Sequence, residues 1–232
     1  MQQASGHTLK AFDEDIERLR ALISQMGGLA EHSIGEAMRC LIHRDVEGAQ
    51  QVVENDMKLD ALEIETERRA VQLIALRAPM AADLRDVVAA LKISGVVERI
   101  GDYAKNIAKR VPQLENVGKI EPLSLLPEMA RIATQMVHDV LDAFVERDAK
   151  AAVAVCERDA AVDDFYDSIF RTLLTHMMEN PHNIGQAAHL LFVAKNLERV
   201  GDHATNIAEM VYYAATGEHM TDRSGMSGRP RG

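Results

Sequence analysis

Three features of the 232-residue sequence predict an all-α fold built as two tandem, pseudo-symmetric three-helix bundles. The composition is aliphatic, the prolines fall only between long helical patterns, and one set of motifs occurs twice. Hydrophobic residues make up 47% of the chain but aromatic residues only 4%, with no Trp and 27% charged. That balance suits long helices packed through Ala, Leu, Val and Met, not β-sandwiches.

Helices are read at 8–43, 46–77 and 82–111, and again at 124–146, 149–179 and 184–216. In the first, Gly27, Gly28 and Gly35 each cost about 1 kcal/mol against alanine. Their presence points to close approach of another helix or to a slight kink. Asp45 and Asp148 precede the second and fifth helices as N-caps. Pro79 and Pro181 each follow a long helical pattern, and Pro112 ends one. Pro122 and Pro127 bracket the start of the fourth helix.

The six helices form two sets that align. ERIGDYAKNIA, from Glu98 to Ala108, recurs as ERVGDHATNIA, from Glu198 to Ala208, with eight of eleven positions identical. IHRD ending at Asp45 answers to VERD ending at Asp148, and END (Glu54 to Asp56) answers to ERD (Glu157 to Asp159). Ordered matches at a nearly constant offset mean a duplicated unit. The first unit is 8–111 and the second 124–217, with a polar, proline-bounded linker at 112–123 and a tail at 218–232 expected to be disordered.

Charge and the remaining composition exclude several functions. With 26 basic and 36 acidic residues the net charge is −10, a poor basis for nucleic-acid binding, which runs on phosphate neutralisation. The N-terminus lacks the apolar core of a signal peptide, and the longest uncharged run, Asn180 to Ala194, is too short and polar to span a bilayer. Cys40 and Cys156 have neither metal nor redox spacing and read as small buried hydrophobes of a reducing compartment, so the chain is expected to be cytoplasmic.

The chemistry lies in a stripe of acids. Glu98, Asp102 and Asn106 fall about 40° apart on one helix face, as do Glu198, Asp202 and Asn206. Ile93, Val97, Ile100, Ala104, Ile107 and Val111 cluster away from them as the core seam. Gly101 and Gly201, between the acids, leave room for a neighbouring helix or an ion. The second helix carries Asp56 and Asp60, with Glu63 and Glu67 extending the face; the fifth carries Asp159 and Asp163, with Asp167 beyond. If each pair of helices is antiparallel, four carboxylates and an amide converge in each unit.

Carboxylates so close need a counter-charge. A hard cation suits an all-oxygen donor set, with Mg²⁺, Mn²⁺, Ca²⁺ or iron as candidates. The alternative is arginine: Arg99, Arg199 and Arg85 are at hand. A solvated acidic face remains the structural alternative. A ferritin-like oxidase or storage bundle needs Glu-x-x-His on unbroken helices, and the Glu179–His182 pair flanks Pro181. His203 adjoins Asp202 and could reach a metal; the other histidines follow no pattern. No P-loop, nucleophile elbow, dinucleotide fingerprint or Cys–His constellation is present, and the chain does not read as an enzyme.

The doubled Glu-Arg-Ile/Val-Gly-Asp with its Asn-Ile, the MGG at Met26 to Gly28, the END and ERD segments and the APMAADLR stretch at Ala78 to Arg85 resemble the PhoU family. Over about residues 8–217 the resemblance implies two three-helix bundles, a homodimer, and iron-, zinc-, magnesium- or manganese-type sites on the acid motifs. Carried onto this sequence, the ligands are Asp56, Asp60, Glu98 and Asp102 in one site and Asp159, Asp163, Glu198 and Asp202 in the other, with Asn106 and Asn206 as further donors. The implied role is a regulatory adaptor that represses the phosphate-starvation response in plentiful phosphate. It would contact the ATPase subunit of the phosphate ABC transporter and a membrane sensor histidine kinase, meeting the membrane only through them. The second unit departs at its last connection, where NPHNIGQ replaces APMAADLR, so its site geometry is less closely matched.

Overall fold

The computed structural model describes residues 2–114 and 124–220, with side chains from Phe12 onward. Its helices are α1 (Gln2–His43), α2 (Val46–Asn55), α3 (Met57–Arg77), α4 (Ala82–Ala108), α5 (Leu126–Glu146), α6 (Ala149–Glu179) and α7 (Ile184–Thr216). Single 3₁₀ turns occupy Val111–Leu114 and Pro181–Asn183, and no strand occurs among the described residues. Of the expected linker at 112–123, residues 115–123 lie outside them, and of the expected tail at 218–232, residues 221–232.

The duplicated motifs fold alike. Arg44 (φ 57°) and Arg147 (φ 56°) both adopt the left-handed conformation that ends a helix. The Asp45 N–H donates to the Cys40 carbonyl at 3.0 Å, and the Asp148 N–H donates to the Ala143 carbonyl at 2.9 Å. Both aspartates then cap the next helix. Asp45 accepts from the Gly48 N–H at 2.8 Å, and Asp148 accepts from Lys150 and Ala151 at 2.8 and 3.1 Å.

One expected helix differs. The stretch 46–77 is interrupted at Asp56, whose φ −55° and ψ −36° stay helical while its carbonyl accepts from Leu59 at 2.8 Å and Asp60 at 3.3 Å. The hydrogen-bond ladder tightens there from four-residue to three-residue spacing. Its counterpart α6 runs through without a break.

α1, α3 and α4, with the short α2, pack as one bundle, and α5, α6 and α7 as the other. The core seam forms as expected: Ile93, Val97, Ile100, Ala104 and Ile107 of α4 and Val111 of the following 3₁₀ turn are fully buried, as are Val193, Leu197, Val200, Ala204 and Ile207 of α7. Each such Ile or Leu contributes roughly 1.5–3 kcal/mol by leaving water. The bundles join through α4 against α7 and α1 against α5. At the second seam a Cβ on Gly27 would lie 2.3 Å from Leu141 Cδ1, so this glycine serves close helix approach; nothing lies within 4 Å of such an atom on Gly28 or Gly35. The α4 N-terminus adds a polar clamp, with buried Asp86 held by Arg20 of α1 at 3.2 Å and Arg147 after α5 at 3.0 Å.

Cys40 is buried as expected, but Cys156 is half-buried, with its Sγ 3.9 Å from Met220 Sδ. The first residues after α7 lie back on the bundle, where the rings of Tyr213 and His219 stack at 4.7 Å.

Candidate functional site

The acid-bearing helices are antiparallel neighbours. Along α3, Leu59 and then Glu63 meet α4 at Gly101 and then Gly95, in descending order. A Cβ on Gly101 would lie 2.3 Å from Leu59 Cδ2 and 3.6 Å from Asp56 Oδ1. The missing side chain thus admits α3 itself and brings Asp56 to the Asp102 level. On the second unit a Cβ on Gly201 would lie 3.4 Å from both Asp159 Oδ1 and Val162 Cγ1. Gly101 therefore serves the neighbouring helix, one of the two roles expected of these glycines, whereas a Cβ on Gly201 would meet only ordinary van der Waals contacts.

In the first groove the carboxylates feel one another. Burial raises the Glu98 carboxyl from its ordinary 4.5 to about 7, and the charges of Asp102, Glu63, Asp60 and Asp56 push the same way. Near neutral pH this carboxyl is about half protonated. Glu63 is also raised, by burial first and then by Glu67 and Asp60, with Arg99 opposing.

The resident counter-charge is Lys105, one turn beyond Asp102. Its ammonium bonds both Asp56 and Asp102, tying α3 to α4 across the groove. Burial disfavours its charge, but hydrogen bonds to the two aspartates outweigh that and hold the pKa well above the ordinary lysine range. Of the arginines at hand, Arg99 contributes by opposing the rise of Glu63. Arg85 lies at the far end of α4, near the Ala214 carbonyl at 3.5 Å, and Arg199 sits over the Tyr103 ring at 5.9 Å.

The second groove distributes its charge differently. Position 105 is matched by Thr205, whose buried hydroxyl donates to the Asp202 carbonyl at 2.7 Å. Its lysine is Lys195, where the first unit has Gly95; Nζ lies 2.6 Å from Glu198 Oε1 and 5.2 Å from the Tyr166 ring centroid. Asp159, Asp163, Asn106 and Asn206 are half-buried, and Asp60 and Asp202 exposed. Among the described residues no three His, Cys, Asp or Glu side chains converge closely enough to hold an ion as they stand.

His203 meets the first unit. Its Nδ1 lies 2.9 Å from the Arg199 carbonyl and its Nε2 3.4 Å from the Tyr103 hydroxyl, with the rings edge-on at 5.2 Å. Burial lowers its pKa, the Arg199 carbonyl opposes, and Arg99 and Arg199 reinforce the lowering. The neutral tautomer that fits donates from Nδ1 and accepts at Nε2. Tyr103 and His203 hold equivalent places in the two motifs, so the units meet at matching residues of α4 and α7.

Sequence reasoning missed Lys105, Lys195 and the Tyr103–His203 contact. Within the doubled motif, positions 103/203 and 105/205 are two of the three that differ, and the difference itself was the available signal. A solvent-open groove of about 660 Å³ between α1 and α5, floored by Ile34, Met38 and Ala130, draws on none of the acid motifs.

The PhoU domain family profile matches residues 23–111 and again 126–211. The phosphate-specific transport system accessory protein PhoU homolog of Zymomonas mobilis is 57% identical over 97% of this chain and 95% of its own length. The homolog of Caulobacter vibrioides is 47% identical over 94% and 95%. Among solved structures, PhoU from Pseudomonas aeruginosa superposes with a TM-score of 0.85 at 36% identity, covering 89% of this chain and all of that one. The phosphate transport system regulatory protein PhoU from Streptococcus pneumoniae gives 0.84 at 27% identity, covering 90% and 99%. With the profile matched twice, in register with the two bundles and their acid grooves, the chain belongs to the PhoU family.

Proposed function

We propose that this chain is a cytoplasmic, metal-binding regulatory adaptor of phosphate-specific transport, which represses the phosphate-starvation response when phosphate is plentiful. The relatives' names supply the phosphate transport system. The structural observation that supports the metal is the first groove, where burial, reinforced by the carboxylates of two antiparallel helices, lifts Glu98 to about 7. An adaptor has no substrate to turn over; its output is a difference in contact with partners between two states. Those partners are the ATPase subunit of the transporter and a membrane sensor histidine kinase.

The donor chemistry fits a hard cation. All donors are oxygens, and a lysine ammonium already bridges Asp56 and Asp102, a positive charge where a cation would sit. Asp56, Asp60, Glu98 and Asp102 would hold a Mg, Mn, Fe or Zn ion, and Asp159, Asp163, Glu198 and Asp202 a second. The ion would supply a concentrated positive charge that draws the carboxylates together. Lys105 would leave Asp56 and Asp102, and Glu98 would give up its proton. Loading thereby changes both the charge and the side-chain arrangement of the face beside the α4–α7 junction, the kind of difference a partner can read.

A strain lacking the gene, carrying an alkaline-phosphatase-type reporter, tests the regulatory role. Deletion should switch the reporter on in high phosphate, and wild-type protein should silence it. The Asp102→Ala, Asp202→Ala variant should restore repression poorly and bind less metal by elemental analysis, with circular dichroism unchanged. A silent reporter in the deletion strain defeats the regulatory role. Full repression by a variant shown to hold no metal defeats the signalling role of the ion.

A further inference from the structure

α3 carries a surface that the acid groove does not use. Met57, Ile64 and Val71 are 69%, 64% and 55% exposed and recur every seven residues. Ala61, Arg68 and Ala75, also exposed, fill the alternate places. On a helical wheel these six lie within about 80° of one another, opposite the residues that α3 buries: Leu59, Thr66, Ala70 and Leu73. A row at alternating three- and four-residue spacing over about 27 Å is the seam of a coiled coil. Single exposed aliphatic residues are ordinary; three in register on the face away from the core are not needed to fold the bundle.

The other unit shows that the fold does not demand this row. The corresponding places on α6 are Ala160, Asp164, Asp167, Arg171, Leu174 and Met178, so aspartates break the seam.

The flanking charges select the occupant. Along the edge facing α4 run Asp60 and Glu67, with Glu63 next. The opposite edge carries Lys58, Glu65 and Gln72, with Glu65 held by Arg68 at 2.6 Å and Arg69 at 2.5 Å. A second copy docking here in parallel would set Arg68 against its own counterpart within the seam. An antiparallel copy would set Asp60 and Glu67 against each other. Both arrangements oppose like charges, whereas a helix with basic residues beside its apolar seam meets opposite charge along the α4 edge.

We propose that α3 is the docking surface for an amphipathic helix of a partner protein, with its apolar seam flanked by Lys and Arg. This docking presupposes the adaptor role and adds to it the face and the chemistry of the partner.

The test titrates the full-length protein, with chelator present, against three fluorescent synthetic peptides of about three heptads. One has Leu at the seam and Lys at the flanks; one has Glu at the flanks; one is a scramble of the Lys peptide that destroys the period. Fluorescence anisotropy should show binding of the periodic Lys peptide alone, weakened at least tenfold by Ile64→Ser with Val71→Ser and unchanged by Leu174→Ser with Met178→Ser on α6. Equal binding of the scramble, or unchanged binding by the α3 variant, reduces the effect to general attraction and overturns the assignment. A dimer in sedimentation that the same α3 variant dissociates overturns it too, by making a second copy the occupant. The reporter strain separates the two levels: derepression on deletion with a negative peptide result leaves the adaptor standing without the α3 face, and a silent reporter removes the adaptor role itself.

Discussion

Glu98→Gln in metal-free protein should stabilise the fold increasingly as pH rises. The Glu98 carboxyl titrates near 7 in the folded chain, because burial and four neighbouring carboxylates oppose its charge, against an ordinary 4.5. The unfolded chain therefore releases this proton at lower pH than the folded one. Stability contributed by Glu98 is complete below about 4.5 and is lost as pH rises through about 7. The separation corresponds to a ceiling of about 3 kcal/mol. Glu98 is only partly buried, and solvent screening brings the expected loss to about 1–2 kcal/mol. Glutamine keeps the shape and cannot ionise, so the variant escapes this loss. Urea unfolding of both proteins between pH 5 and 8, with chelator, should show the variant's advantage growing by about 1–2 kcal/mol across that range. For a chain this size, 1 kcal/mol moves the melting temperature by about 2–4 °C. A difference that stays constant with pH, or shrinks as pH rises, would refute the crowding of charge in this groove. The same crowding makes the groove a candidate cation site, since a bound cation would relieve what protonation relieves in its absence.

Lys105→Met should lower the stability of the metal-free protein by roughly 1–3 kcal/mol, because Asp56 and Asp102 lose their counter-charge; added Mn²⁺ or Mg²⁺ should raise the variant's melting temperature more than the wild type's, and an equal rise in both proteins counts against competition between the lysine and the ion. Adjacent glycines of α1 should respond differently in thermal melts. Gly28→Ala gains up to about 1 kcal/mol of helix propensity in open space. Gly27→Ala forces Leu141 aside at a cost of about 1–3 kcal/mol, offsetting or exceeding that gain; equal stabilisation by both substitutions excludes the close α1–α5 approach.

Much of this was legible in the chain. The Asp45 and Asp148 caps, the buried row from Ile93 to Val111 and the long helices follow from local chemistry, since capping and a 3.6-residue period depend on residues a few places apart. The interruption at Asp56 was not legible, because its backbone angles are helical and the sequence there carries neither Gly nor Pro. The surroundings of His203 were not legible either. Its sequence neighbour is Asp202, but its partners are the Arg199 carbonyl one turn back and Tyr103 of the other unit.

By itself the sequence determined the helices apart from the break at Asp56, the doubled unit, the apolar seams and which faces carry acids, since each is set by spacing along one chain. Only the tertiary structure decided what stands opposite those faces. Leu59 and Asp56 come to Gly101, Lys105 settles between Asp56 and Asp102, Glu98 rises to about 7, and two equivalent motifs become unequal grooves. A carboxylate's protonation and partner depend on distance and desolvation across two helices, and helical spacing fixes a residue's direction without fixing what meets it.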